Sequence, residues 1–358
     1  MPNRFLASGA YGCVYYPGYD CNGKKINNRE YVTKLVENNF VTLTEYTVGK
    51  LIKKIPEYSR HFVVVSKHCP ITKSNLTLMK KGCKMVDKEE QHKYMLLYSK
   101  YVKSIELCDY LVENKNVNKF IRTYFLLTEK LNILTESGIV HNDLHFGNVL
   151  FSLDTSNLYL IDFGMAIILE KNFIDGKLNM GYLKKWLFHF NPNWAWWPLD
   201  YHFLCYLFHN GPLTKNIIAD TIEIYLSNKM FKLFNSNYTE IYKKESEDFF
   251  VKLTEMTREE GIIFLLGFCK TWDYYKCCLH YIDYIYNIVE KSKEINELNE
   301  LLVLFIHPNP EKRPSLIEQR IINKKFLNKQ SINKTISISM HNSYHSKVEK
   351  SQLIESIK

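Results

Sequence analysis

Residues 4–16, Arg-Phe-Leu-Ala-Ser-Gly-Ala-Tyr-Gly-Cys-Val-Tyr-Tyr, place glycines and small residues between apolar positions, which predicts a strand, a tight turn and a second strand. Apolar residues gather again from Glu30 to Val36 as a short strand, and a helical spacing follows over 43–54. His61–Ser66 and Tyr94–Tyr98 are further strand candidates, and the Lys-rich connection between them is expected outside the core. Together these predict a small antiparallel sheet carrying one helix.

The texture changes after Ser99. Phe120, Tyr124, Leu127, Leu131 and Leu134 recur at spacings of 4, 3, 4 and 3, an apolar stripe on one helix closed by Gly138. Two very short strands, 149–151 and 158–161, flank the turn-rich Leu153–Asn157, and helical patterns prevail from Leu199 to near Ile317. From Ile321 the chain becomes rich in Ser, Asn and Lys and reads as a loosely held tail, with a docked helix as the alternative. The fold class expected is α+β, sheet first and helices after.

With 46% apolar residues, 21 Phe, 25 Tyr and 5 Trp in 358 positions, the chain is too apolar for disorder and long enough for a large core. The net charge of +9 suits an anionic partner without selecting nucleic acid, membrane or acidic protein. The Lys-rich tail carries no interleaved aromatic residues, so nucleic-acid binding is not expected. The opening lacks the apolar core of a signal peptide, and Gly261–Cys269 and Leu301–Ile306 are too short to span a bilayer, so a cytoplasmic protein without a transmembrane segment is expected. Nine unevenly spaced cysteines without paired C-x-x-C units predict a reduced chain without structural metal.

The densest chemistry is His141-Asn142-Asp143-Leu144-His145-Phe146-Gly147-Asn148, followed fourteen residues after Asn148 by Asp162-Phe163-Gly164. In order and spacing this resembles the catalytic loop and metal-binding triplet of the protein kinase superfamily. The resemblance implies a two-lobed fold with an N-lobe at 1–98, a hinge at 99–103, a mostly helical C-lobe at 104–320 and a basic tail at 321–358. It also implies ATP and magnesium, or manganese, as cofactors. Asp143 then accepts the proton of a substrate hydroxyl, Asn148 and Asp162 bind metal, and His145 stands near the transferred phosphate, where protein kinases usually have lysine.

The opening carries the same likeness. Ala7-Ser8-Gly9-Ala10-Tyr11-Gly12-Cys13-Val14 holds the second and third glycines and the valine of the family's nucleotide loop, with Ala7 at the place of the first glycine. Lys34 in Val-Thr-Lys-Leu matches the lysine that grips phosphates, and Glu45 is its best ion-pair partner, with Glu37 and Glu57 as alternatives. Asp200 resembles the aspartate that braces the catalytic loop from beneath, and Arg313 resembles the family's late arginine. No Ala-Pro-Glu triplet lies between Gly164 and Asp200, so the glutamate partner expected for Arg313 is missing.

Asn142 replaces the arginine that reads an activation-segment phosphate in many members, and residues 165–199 contain no Ser or Thr and only Tyr182 as a hydroxyl acceptor. A constitutively assembled enzyme is therefore expected. The H-x-D-L-H-x-G-N loop is also similar to haspin-type, aminoglycoside and choline kinases, while the chain as a whole looks like divergent serine/threonine kinases of large cytoplasmic DNA viruses, implying a host-cytoplasmic or virion location. The readings are a serine/threonine protein kinase acting on a protein substrate, a small-molecule or lipid phosphotransferase, and a silent kinase-like scaffold.

The aromatic run Trp186–Trp197 is either a packed element standing in for the missing latch or a docking groove for a partner. Cys269, Cys277 and Cys278 are expected to pack in a core with His280 at the surface, and His141, Asp143 and His145 are weighed as a transition-metal site against the magnesium reading.

Overall fold

The computed structural model describes residues 4–9, 12–21, 29–79, 83, 86 and 91–329. The first region is built on strands β1 (Arg4–Gly9), β2 (Gly12–Tyr16), β3 (Tyr31–Glu37), β4 (Val65–Pro70) and β5 (Tyr94–Lys100), with helices α1 (Phe40–Ile52) and α2 (Lys73–Met79). The strands form an antiparallel sheet in the order β1-β2-β3-β5-β4. In β1 and β2, Gly9 faces Gly12; Ala10 and Tyr11 lie outside the described residues.

Alternate residues of a strand point to opposite faces, and the unbroken apolar run of β5 means that both faces are covered. Met95 and Leu97 pack with Val36, Val65 and Tyr46 on the α1 side. Tyr94, Leu96 and Tyr98 pack on the other side with Leu35, Leu76, Met79, Cys83 and Val86. The described part of the Lys-rich connection, 71–79 with Cys83 and Val86, thus covers the second face rather than lying outside the core. Leu76, Met79, Cys83 and Val86 recur at spacings of 3, 4 and 3, a short apolar stripe that the surrounding lysines hide from a composition-based reading.

Two disulfides, Cys13–Cys83 and Cys21–Cys69, cross that face, correcting the expectation of a fully reduced chain. Their partners lie 70 and 48 residues apart, so no short spacing announces them. Cys108, Cys205, Cys269, Cys277 and Cys278 are free.

Strand β4 begins at Val65 rather than His61 because residues 61–63 are engaged elsewhere. Phe62 bridges Leu160, with backbone bonds Val63 N–H to Leu160 O and Leu160 N–H to His61 O, both 3.0 Å. Leu160 belongs to β9 (Leu158–Leu160), which follows β6 (Ser104–Glu106), β7 (Ile139–Val140) and β8 (Val149–Ser152) in chain order. A three-stranded sheet β6-β8-β9 therefore joins the first region to the helices. Further on, β10 (Ile167–Ile168) pairs with β7, and β11 (Phe173–Ile174) forms a hairpin with β12 (Lys177–Leu178).

The second region is largely helical: α3 (Leu107–Glu113), α4 (Val117–Glu136), α5 (Met180–Trp186), α6 (Leu199–His209), α7 (Lys215–Leu226), α8 (Ser236–Phe250), α9 (Arg258–Leu266), α10 (Trp272–Asn287), α11 (Lys293–Phe305) and α12 (Leu316–Lys329). The side chain of Asn116 caps α4 on the amide of Lys119, and Gly138 ends it at φ +75°, a conformation that residues with a Cβ rarely adopt. Phe120, Tyr124, Leu127, Leu131 and Leu134 all turn into the core that α4 shares with α10 and α11. The helical region continues past the boundary expected at 320. In α12, Phe326 and Leu327 are buried, Asn323 Nδ2 donates to Thr128 Oγ1 at 3.3 Å, and Arg320 pairs with Glu136 at 2.6 Å, which docks the helix on α4. The tail from 330 onward lies outside the described residues.

Among the described residues no helix is long and apolar enough to cross a membrane.

Candidate active site

Lys34 sits in the middle of β3, paired in register with Val14 on one side and Leu97 on the other, so its side chain leaves a fixed point on the sheet. Its Nζ donates to Asp162 Oδ2 at 2.8 Å and lies 3.5 Å from Glu45 Oε2. Of the three candidate partners, α1 brings only Glu45 to Lys34. Glu57 pairs with Arg60 at 3.0 Å, and the Glu37 carboxylate accepts from Asn39 Nδ2 at 3.5 Å. The short link between Lys34 and Glu45 works because Asn39 caps α1, accepting from the Thr42 amide at 3.2 Å, and starts the helix immediately after β3.

Burial disfavours charge on all three groups, and their mutual attraction opposes it. The Lys34 ammonium ends well above its ordinary value, because Glu45 and Asp162 outweigh its desolvation. Glu45 is pushed up to about 7, chiefly by burial, although Lys34 pulls it down. Asp162 stays below the usual carboxylate range because Lys34, with help from His141 and the Gly164 amide, overcomes its desolvation.

A raised Glu45 means that folding favours the protonated form: its contribution to stability is full below pH 4.5 and is lost as pH rises through about 7. Glu45→Gln is therefore expected to melt close to wild type near about pH 4.5 and above it near about pH 8. Calorimetry across that range checks this, and a wild-type advantage at the alkaline end would contradict it.

Asp162 adopts φ +61° and Asn142 φ +62°, left-handed conformations that residues with side chains adopt at a cost. Both are held from outside. Phe163 lies against His141, ring centroids 5.0 Å apart, and against Phe62 at 6.0 Å. At Gly164 an added Cβ would fall 2.6 Å from Val41 Cγ1, so α1 presses directly on this turn and only glycine fits.

The catalytic-loop resemblance falls on the segment after β7. Asp273, near the start of α10, accepts from the His141 amide at 2.6 Å and from the Asn142 amide at 2.9 Å. It is the brace that the sequence reading assigned to Asp200. Asp200 is engaged instead with Arg313, at 2.7 Å, and with Trp272 Nε1, at 2.6 Å. The missing glutamate partner of Arg313 is thus replaced by Asp200, an ionic latch rather than an apolar one. Arg313 completes its donors on His307 O and Thr271 Oγ1.

His141 points Nε2 at Ile161 O, 2.9 Å away, tying the loop to the strand that delivers Asp162. Asn148 donates its Nδ2 to Asp143 O at 2.9 Å and lies 3.4 Å from Asp143 Oδ2, which leaves its carbonyl oxygen as the end available to a ligand. His145 accepts the Gly147 amide at Nδ1, 3.1 Å, so the neutral ring carries its proton on Nε2. Its pKa is lowered, first by desolvation and further by His141 and Lys276, against the pull of Asp143 and Asp162.

Asn142, at the place of the phosphate-reading arginine, donates Nδ2 to Met165 O at 3.3 Å. The Tyr182 hydroxyl accepts the Ile168 amide at 2.8 Å, so the segment's single hydroxyl side chain is used to hold β10. In the aromatic run, Trp186 is buried, Trp197 packs on Tyr201 at 4.6 Å, and Trp194 is half exposed. Trp196 stacks on His280 at 4.0 Å; His280 is therefore half-buried rather than a surface residue.

Asp273 and Lys276 are the site residues that the sequence reading missed. Two charges inside the otherwise aromatic and apolar run Trp272–Leu279 were the available signal.

A sequence-family profile described as the ABC1 atypical kinase-like domain matches residues 75–186, from within α2 to the end of α5. That stretch contains Asp143, Asn148 and Asp162 and is similar to a kinase-like domain; Lys34 and Glu45 precede it. The match selects none of the viral, haspin or small-molecule branches. No curated protein matches the chain.

Proposed function

We propose that this chain is an ATP- and magnesium-dependent serine/threonine protein kinase, with the N-lobe at 1–98, the hinge at 99–103 and the C-lobe from 104 through α12. The observation that carries the reading is the convergence of Lys34 with Asp162 at 2.8 Å, while Asn148 touches the Asp143 carboxylate at 3.4 Å. One cation, one candidate base and two oxygen donors share the cleft between sheet and helices.

The donor set suits magnesium: an amide carbonyl and a carboxylate are hard oxygen ligands, and a hard divalent cation takes a few such groups together with phosphate oxygens. Asn148 and Asp162 would hold it, and when bound it neutralises charge on the phosphates. Lys34 grips phosphate oxygens, and Glu45 keeps Lys34 extended between sheet and helix. The β1–β2 turn brings Gly9 and Gly12 over the phosphates, and Val14 covers the adenine. Asp143 accepts the proton of the acceptor hydroxyl, positioned by Asn148 and by the braced loop. His145, kept neutral, offers an N–H toward the transferred group.

The bonds from Asn142 to Met165 and from Ile168 to Tyr182 hold the segment after Asp162 without phosphorylation, which supports a constitutively assembled enzyme. The Gly-x-x-Gly opening and Arg313 favour a protein acceptor, and the likeness to viral enzymes supports a site of action in the cytoplasm of an infected cell. The test is transfer of labelled terminal phosphate from ATP onto mixed basic and acidic proteins, followed by phosphoamino acid analysis. Labelled serine or threonine is expected. Turnover of ATP onto small hydroxyl acceptors with no protein label would overturn the protein-kinase assignment.

A further inference from the structure

We propose that Lys276 is a positioning residue for Asp143, supplying from α10 the fixed positive charge that the loop itself lacks at His145. The inference rests on the phosphotransfer reading above and adds a residue to that site. Lys276 is 2% exposed, on a helix lined with Tyr274, Tyr275, Cys277 and Cys278. A buried ammonium needs compensation, and here the carbonyl it bonds belongs to the candidate catalytic loop. Its Nζ donates to the carbonyl of Asn142, the residue before Asp143, and stands 5.1 Å from the centroid of the Trp197 ring. The charged groups facing it are Asp273, one turn back on α10, and Asp143.

Asp273 already has both carboxylate oxygens on backbone amides of the loop. The ammonium hydrogen-bonds the loop carbonyl and is attracted by both the brace and the candidate base. Three histidines also face Lys276: His145 on the loop, His280 on α10 and His202 on α6. Desolvation comes first in lowering all three, and Lys276 adds to it, so they stay neutral and Lys276 remains the local cation. Together Asp273 and Lys276 clamp the left-handed Asn142, one on its N–H and the other on its carbonyl. That fixes the direction in which Asp143 leaves the loop.

Burial lowers Lys276 to about 8, against the pull of Asp273 and Asp143, so its charge is present at neutral pH and is lost as pH rises through that value. The test combines kcat and KM for wild type, Lys276→Met and Lys276→Arg across the alkaline range with an NMR titration of the lysine Nζ in wild type and Asp143→Asn. Expected are a wild-type kcat that declines with a midpoint near about 8, no such decline in Lys276→Arg, and about 10²-fold lower kcat in Lys276→Met with KM for ATP little changed. Asp143→Asn removes one of the two anions and is expected to lower the Lys276 pKa further.

A folded Lys276→Met with wild-type kcat, or a Lys276 titration indifferent to Asp143→Asn, would overturn the inference. Should Lys276→Met not fold, the wild-type alkaline limb and the titration decide. A wild type that transfers no phosphate would sink the phosphotransfer reading, while the titration would still judge the Lys276–Asp143 coupling.

Discussion

Lys34→Met is expected to lower phosphoryl transfer by about 10³-fold while costing only about 1 kcal/mol of stability. The two effects separate because of what remains after the ammonium is gone. Glu45 and Asp162 are then left facing one another, but burial already pushes Glu45 up to about 7, and without the pull of Lys34 it takes up a proton more readily. The thioether fills the vacated space, and α1 keeps its packing through Val48 and Ile52. Transfer has no such relief, since no other cation reaches Asp162 from β3. Steady-state kinetics beside a urea melt check the pair of effects. Activity within a few-fold of wild type would show that Lys34 does not contact the phosphates.

Arg313→Met is expected to cost about 3–5 kcal/mol, the opposite balance. Asp200 is fully buried, and without Arg313 its carboxylate keeps, among the described residues, the Trp272 N–H as its side-chain donor. Unlike Glu45, it has no route to solvent. The damage would reach the site, because Trp272 begins the helix on which Asp273 holds the His141 and Asn142 amides. The double variant Arg313→Met/Asp200→Asn, which removes the stranded charge, is expected to recover part of the loss. Denaturant midpoints at unchanged slope measure both. A single variant within about 1 kcal/mol of wild type would mean that the latch is dispensable.

The contrast between these two ion pairs also explains what could be read from the sequence. Asp143, Asn148 and Asp162 lie within twenty residues of one another, and their roles depend on a loop and two short strands whose spacing is visible in the chain. Lys34 and Glu45 were legible because a strand and a capped helix fix their relation locally. The brace was not legible. Asp273 reaches the loop from 132 residues away, and the chain offers a similar pattern earlier: an aspartate at the head of a helix after tryptophan, at Asp200. Nothing local distinguishes the two; their distant partners do, Arg313 for Asp200 and the His141 and Asn142 amides for Asp273.

The fold shows the same division. The long periodic helix α4 and the apolar β5 announced themselves, because each carries its pattern within one element. The cover of the second sheet face did not. Its apolar stripe is four residues among lysines, and its disulfides join cysteines that no spacing relates. Likewise α12 reads as polar because its few buried residues are spread over a basic helix whose partner, α4, lies far back in the chain.

The central claim is that the cleft joining Lys34, Asp162, Asn148 and Asp143 transfers phosphate. Its most direct measurement is magnesium-dependent release of the terminal phosphate of ATP to an acceptor by wild type and by Asp143→Asn, with nucleotide binding followed in parallel. Unchanged binding and a transfer rate lowered by about 10³-fold in the variant are expected. Equal transfer by the two proteins would contradict it.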